Sequence, residues 1–345
     1  MKGMVHTVLG PVVPESLGPT STHEHLLINF VCMFREPTVA SDFRIAHEPV
    51  GMGNLGWVRY DPFRNRDNLL LVDEETSIDE ARLFKLAGGG TIVDATTIGI
   101  GRDPQGLTRI SRATGLNIVM GAGYYVDSVH PADVDSMSET ALTEQIVGEL
   151  TVGVGETGVR AGIIGEIGCT WPLTANEKKV LVAAAVAQQD TGASILIHPG
   201  RNEAAPFEIL EVISGAGGDL SRVVMGHLDR TLTETDDVLD LAKSGCYLEY
   251  DLFGWEVSNY SPSEIDMPND AQRIGFIERL VQEGHAEQVV IAHDMCFKSR
   301  LANYGGHGYS YILDHIAPRM LDRGFTPQAV QDILVSNPAE ALTFL

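Results

Sequence analysis

The chain has 345 residues, 44% of them hydrophobic and 21% charged, enough for one large α/β domain or two ordinary ones. A formal net charge of −23 argues against nucleic acid and anionic membrane as partners, because affinity for either rests on Lys and Arg. There is no bilayer-length apolar run, no continuous apolar signal segment near the N-terminus and no Cys-x-x-Cys pair; the scattered Cys32, Cys169, Cys246 and Cys296 read as reduced thiols of a cytoplasmic protein.

The first β run is residues 22–25, Thr22-His23-Glu24-His25, leading into Leu26-Leu27-Ile28. On a strand, positions i and i+2 share a face; on a helix they diverge by about 200°. His23 and His25 can therefore meet one metal ion, although an isolated His-x-His is more often a solvated turn. Residues 26–76 are a long interval with Trp57, Tyr60, Phe63 and several arginines, expected to fold over the mouth of the domain. A helix is predicted over 78–87, with Ser77 and Glu80 at capping-box spacing and Gly88-Gly89-Gly90 closing it. The next β runs are 91–95 and 117–120; between them, Arg102 and Asp103 are expected to pair and brace a loop. Further β runs follow at 162–166, 194–198, 222–227, 246–250 and 288–292. Helical patterns lie around 142–150 and at 177–189, 206–214, 235–243 and 271–283.

This alternation predicts a parallel sheet with crossover helices. Eight such units suit a (β/α)8 TIM barrel, typically ~250 residues before insertions, with a doubly wound open sheet as the alternative. The chain shows no internal repeat or linker and reads as a single domain, 1–345, with the insertion at about 26–76.

The ends of the β runs are polar. The first ends in His23 and His25, the fourth in Glu166, the fifth in His198, the sixth in His227, and the eighth in His293-Asp294. Barrels place their chemistry at the C-terminal ends of strands, so these groups should converge. Any one of them alone could be a satisfied polar residue or a helix cap. Four imidazoles and two carboxylates together are too many for one tetrahedral ion and suit two divalent ions sharing a carboxylate. His293, next to Asp294, should face the other way and not be a ligand. A two-ion site supplies hydroxide near neutral pH, and Asp294 is the natural proton carrier. The expected reaction is hydrolysis of an amide, ester, lactone or phosphoester without a covalent enzyme intermediate.

These strings also carry a resemblance. Thr22-His23-Glu24-His25, Gly99-Ile100-Gly101-Arg102-Asp103, Gly165-Glu166-Ile167-Gly168, Ile197-His198-Pro199-Gly200-Arg201, Gly226-His227-Leu228-Asp229-Arg230 and Ala292-His293-Asp294 resemble the amidohydrolase superfamily in its phosphotriesterase branch, nearly end to end. The longer strings Gly121-Ala122-Gly123-Tyr124-Tyr125-Val126-Asp127, Gly168-Cys169-Thr170-Trp171-Pro172-Leu173 and Tyr304-Gly305-Gly306-His307-Gly308-Tyr309-Ser310 are most similar to its phosphotriesterase-related subgroup. The resemblance implies two zinc-like ions, with manganese, cobalt or iron also acceptable. His23, His25 and Asp294 would hold the deeper ion, His198 and His227 the outer one, and Glu166 would bridge. Founding phosphotriesterases use a carboxylated lysine at the bridging position; glutamate here keeps the metal site but weakens any transfer of organophosphate activity.

The subgroup implies hydrolysis of N-acetyltaurine or similar N-acyl amino acids, hence a small anionic N-acyl substrate. Barrels of this superfamily often pair, so a homodimer is compatible. Arg201 and Arg230 are candidates for holding the anion, unless they pair with acids such as Asp229 or Glu203. Lys298, Arg300, His307 and Tyr309 are further candidates, and Tyr124, Tyr125 and Trp255 could line the pocket. A lactonase or phosphotriesterase on the same metals is the second reading. A binding protein with a vestigial site is the third, and the complete ligand set argues against it. Two Gly-x-Gly-x-x-Gly stretches, at 51–56 and 153–158, lack the strand-to-helix setting of a dinucleotide site.

Overall fold

Eight parallel strands pair in sequence order: β1 (Thr20–Glu24), β2 (Thr91–Asp94), β3 (Asn117–Ala122), β4 (Ile163–Gly168), β5 (Ile195–His198), β6 (Val223–Met225), β7 (Tyr247–Tyr250) and β8 (Val289–Ile291). The structure is a computed structural model and describes residues 2–257 and 259–345. Helices α1 (Glu74–Leu86), α2 (Pro104–Thr114), α3 (Glu139–Thr151), α4 (Ala175–Thr191), α5 (Ala205–Gly215), α6 (Thr235–Ala242) and α7 (Asp270–Gln282) each follow one strand, and helical segments after β8 end at Asn337–Leu342. The fold is a (β/α)8 barrel, not the open sheet. No ladder pairs β8 with β1 among the described residues. That seam is held instead by Thr22 Oγ1 donating to Ile291 O (3.2 Å) and by Asp294 N–H donating to His23 O (3.0 Å).

Alternation along the strands builds two cores. Ile92, Ile118, Ile164, Ile195, Ile197 and Ile291 face outward and pack under the helices. Val93, Val119, Ile163, Leu196, Val224 and Val290 face inward and fill the barrel, with Val5 and Leu17 joining the same cluster. Burying each such side chain contributes roughly 1.5–3 kcal/mol, so this inner layer is a packed floor. The chemistry sits above it. Two residues beyond Leu196 comes His198; beyond Tyr247 come Glu249 and Asp251; beyond Val290 come Ala292 and Asp294.

The insertion is a fixed cover. It contains a two-stranded pair, Ile28–Asn29 with Leu70–Leu71, and two short helices, Phe43–His47 and Leu55–Tyr60. Arg35 Nη1 donates to Ser261 O (2.8 Å), Lys298 Nζ pairs with Asp67 (2.7 Å), and Asn68 Oδ1 accepts Ser299 N–H (2.8 Å). The cover is thereby bonded to the loops after β7 and β8.

Three local expectations are corrected. Helix α1 starts earlier than predicted, with Asp73 as its cap. Ser77 and Glu80 form no capping box: Ser77 Oγ donates to Leu26 O (2.6 Å), and Glu80 accepts N–H groups of Ala302 (3.0 Å) and Asn303 (2.7 Å). Helix α2 was not among the predicted elements. Its start is set by Asp103, which accepts the N–H groups of Gln105 and Gly106 with Pro104 in the first turn, and Gly115 ends it in the left-handed region at φ 69°. Asp103 is thus a cap, and Arg102 pairs with Glu149 (2.7 Å) on α3.

Candidate active site

Each site residue owes its direction to local backbone. Strand β1 presents His23 inward, and His25 follows just past its end, with ring centroids 5.8 Å apart. On β4, simple alternation from inward Ile163 would turn Glu166 outward. A register shift between Ile164 and Ile167 reverses this. Gly165 makes the shift possible: its φ is 117°, and a Cβ there would lie 2.1 Å from Leu196 O. Beyond β6, His227 takes the left-handed region at φ 52°, and beyond β8 Asp294 does so at φ 49°.

Glu166 is the centre of the cluster. Its Oε2 lies 2.9 Å from His198 Nδ1, 3.4 Å from His23 Nε2 and 3.5 Å from His227 Nε2; its Oε1 lies 3.4 Å from His25 Nε2. Asp294 Oδ1 lies 3.2 Å from His25 Nε2. His227 Nε2 lies 2.8 Å from His198 Nδ1. All six predicted ligands converge and are buried. His23, His25 and Asp294 form one group able to hold an ion, and His23, Glu166 and His227 form another. His23 Nε2 is buried with no hydrogen-bond partner among the described residues, as a nitrogen aimed at a cation would be. The nitrogen and oxygen donors suit a divalent transition metal, so the residues fit a metal centre.

The outer faces of the imidazoles are fixed by a second layer of residues outside the set expected from the sequence. His23 Nδ1 meets Glu249 (3.1 Å) and Asp251 (3.2 Å). Asp251 also meets His227 Nδ1 (2.8 Å) and accepts the His227 N–H (2.8 Å), while His25 Nδ1 meets Thr96 Oγ1 (2.9 Å). These contacts orient each ring so that Nε2 faces the centre for His23, His25 and His227. The available signal was the alternation in Tyr247-Leu248-Glu249-Tyr250-Asp251, which puts two acids on one strand face.

Electrostatically the cluster demands positive charge. Burial opposes protonation of His23, but Glu166 and the Asp251 and Glu249 contacts outweigh it and hold the imidazole well above its ordinary range. His25 is likewise raised to about 10 against burial, by Asp294 and Glu166. Burial pushes Glu249 up to about 7. His198 is lowered by burial and by neighbouring His227 and Arg230.

Beside the cluster lies a cavity of about 20 Å³, reached by Phe30, Phe63, Tyr125, Trp255 and Phe297 as well as by Arg201 and Arg230. Arg201 Nε donates to Tyr260 Oη (2.8 Å); Arg230 Nη2 contacts His198 Nε2 (3.2 Å) and donates to Pro199 O (3.1 Å). Among the described residues neither arginine pairs with a carboxylate, because Asp229 is taken by Arg273 (2.8 Å). Five other candidates, Tyr124, Lys298, Arg300, His307 and Tyr309, are not brought to this cavity. Tyr124 turns away and donates to Gln145 Oε1 (2.6 Å), so Tyr125 is the tyrosine at the site. Lys298 is engaged by Asp67 of the cover. His307 stacks on Tyr311 (4.1 Å) and lines a neighbouring cavity of about 300 Å³ with Arg300, Trp255 and Phe297. Tyr309 donates to His25 O (2.8 Å) and supports β1 from behind.

Comparison with known proteins agrees with this geometry. The family model described as "Phosphotriesterase family" matches residues 3–342. An N-acetyltaurine hydrolase of Xenopus tropicalis is 49% identical, covering 100% of this chain and 99% of its own length. The crystal structure of a resiniferatoxin-binding protein from Rhodobacter sphaeroides superposes with TM-score 0.95 at 34% identity, over 99% of this chain and 95% of that one. A lactonase from Listeria monocytogenes superposes with TM-score 0.80 at 27% identity, over 99% of each chain. Matched along its whole length and in its fold, the chain belongs to the phosphotriesterase family and is a metal-dependent hydrolase.

Proposed function

We propose that the protein hydrolyses the amide of N-acetyltaurine or a related N-acyl amino acid, releasing acetate and the amine. The observation that carries this reading is the pair Arg201 and Arg230, two guanidiniums without carboxylate partners beside the metal-binding cluster. Burial pulls Arg230 below the ordinary guanidinium range, and Arg201 adds repulsion. An anion between them relieves that repulsion and takes charge-assisted hydrogen bonds from both. A sulfonate or carboxylate held there would direct the acyl amide toward Glu166 and Asp294, and the aromatic lining must part to admit it, since the cavity of about 20 Å³ has room for little more than a water. The whole-length relatives named for N-acetyltaurine hydrolysis agree with that choice of anion.

His23, His25 and Asp294 would hold a deeper divalent ion, His198 and His227 an outer one, and Glu166 would touch both. Zinc is the leading choice for this donor set, and manganese, cobalt and iron also suit it. When bound, such ions supply Lewis acidity to a water and to the acyl carbonyl. Asp294 accepts the proton of the attacking water and delivers it to the leaving nitrogen. Glu249 and Asp251 keep His23 and His227 aimed inward. Phe30, Phe63, Trp255 and Phe297 exclude bulk water from the reacting amide. The four unpaired thiols accord with a reducing, cytoplasmic setting.

A substrate panel tests the reading. The metal-loaded protein should release acetate from N-acetyltaurine with a higher kcat/KM than it opens lactones or cleaves paraoxon. The reverse order would select the lactonase or phosphotriesterase reading.

A further inference from the structure

Glu24 stands between two of the histidines of the cluster, yet points the opposite way. It is completely buried, and its carboxylate takes four hydrogen bonds. Oε1 accepts from Ser21 Oγ (2.5 Å), from His293 N–H (3.0 Å) and from His293 Nδ1 (2.5 Å); Oε2 accepts the Met295 N–H (3.0 Å). The two amides it grips flank Asp294. His293 Nε2 in turn accepts the Ile312 N–H (3.2 Å), which leaves the proton on Nδ1, facing Glu24. Asp294 itself sits at φ 49°, a region that a residue with a Cβ rarely adopts. Its own N–H is held by His23 O (3.0 Å), and its carbonyl accepts from Arg300 Nη1 (2.8 Å). Without the clamp, relaxation of this backbone would swing the Asp294 carboxylate away from His25.

We infer that Glu24 is a positioning residue that, through His293 and the Met295 amide, fixes the Asp294 carboxylate over the reacting water across the β8–β1 seam. One strand then governs three ligands: His23 and His25 directly, and Asp294 through the side chain between them. The inference rests on Asp294 being the proton carrier.

Steady-state kinetics of E24Q, H293N, H293L and D294N, on whichever panel substrate the wild type turns over fastest, provide the test. Metal per chain and Tm are measured alongside. In E24Q one carboxylate oxygen becomes an NH2 group facing the Met295 N–H, a donor against a donor. A catalytic group displaced by this much is expected to lower kcat about tenfold to a hundredfold, with KM, metal content and Tm close to wild type. H293N keeps a donor for Glu24 and should recover most of the kcat that H293L loses. A wild-type kcat in E24Q overturns the inference. So does a loss of kcat that simply tracks lost metal or a lowered Tm, or an equal loss in H293N and H293L. D294N separates the two levels: full activity there refutes the role of Asp294 itself, whereas an inactive D294N beside an unimpaired E24Q refutes only the clamp.

Discussion

Arg230 Nη2 lies 3.2 Å from His198 Nε2, so a buried guanidinium touches the back of an imidazole whose Nδ1 faces Glu166. The arginine side of the pocket, proposed to hold the anion, and the histidine side therefore share one residue boundary. Replacing Arg230 with Ala should remove a charged hydrogen bond to the substrate, worth about 1.5–3 kcal/mol, and raise KM roughly tenfold to a hundredfold for a sulfonate. Arg201→Ala should act in the same direction. The comparison is with an uncharged N-acyl amide, for which KM should barely change. Equal effects on charged and neutral substrates would place the anion elsewhere.

Asp294→Asn preserves shape but cannot accept a proton. General acid–base catalysis typically contributes 10²–10⁴-fold, so kcat should fall by about that much. Metal analysis of the same preparation should still find bound ion, because His23, His25 and Glu166 remain.

Removing the metal should make stability depend on pH in a definite direction. With no cation present, His25 is raised from 6.5 to about 10 by Asp294 and Glu166 against burial. A raised imidazole stabilises the fold fully below its unfolded pKa, and that contribution is lost as pH climbs through the folded value. Glu249, raised from 4.5 to about 7 by burial, acts in the same sense, but its contribution is lost between those two values, mostly below the His25 window. The chelated protein should lose Tm progressively between about pH 6.5 and 10. Metal-loaded protein should be flatter there, since the ion replaces the imidazole protons. Calorimetry of metal binding at pH 7 should show proton release, and none would contradict the assignment of protonated His23 and His25.

The Arg102–Glu149 pair ties the loop after β2 to α3, with both side chains nearly buried. Arg102→Ala leaves the carboxylate without its cation and should cost about 3–5 kcal/mol in denaturant unfolding. Glu149→Gln leaves the Arg102 guanidinium without its anion but keeps an oxygen that accepts from it, and should cost less for that reason.

Much of this was legible in the sequence for a physical reason. Strands buried on both faces read as short apolar runs, and the first polar residue after each run stands out. His198, His227 and Asp294 stand out in the sequence for that reason. The rest depended on parity or on distance along the chain. Tyr124 and Tyr125 are adjacent, and only the neighbouring strands decide which one turns inward. Glu249 on β7 and Asp251 one residue past its end visibly share parity, but the sequence does not say that their face is the barrel interior. Lys298 was a plausible pocket cation until its partner, Asp67, appeared from 231 residues away. Glu166 closes its apolar run in the sequence, yet it lies within β4 and owes its inward aim to Gly165. The first motif is also richer than its histidines suggested. Glu24 does face away from the cluster, yet its contacts reach across the seam to both neighbours of Asp294.

Cleavage of an anionic N-acyl amide at one cluster holding two ions is the proposed reaction. It is tested most directly by titrating chelated protein with zinc while following acetate release from N-acetyltaurine. Release should be negligible at the start and rise to a break at two ions per chain. Full release by the chelated protein, or none at any loading with any of the four metals, would contradict it.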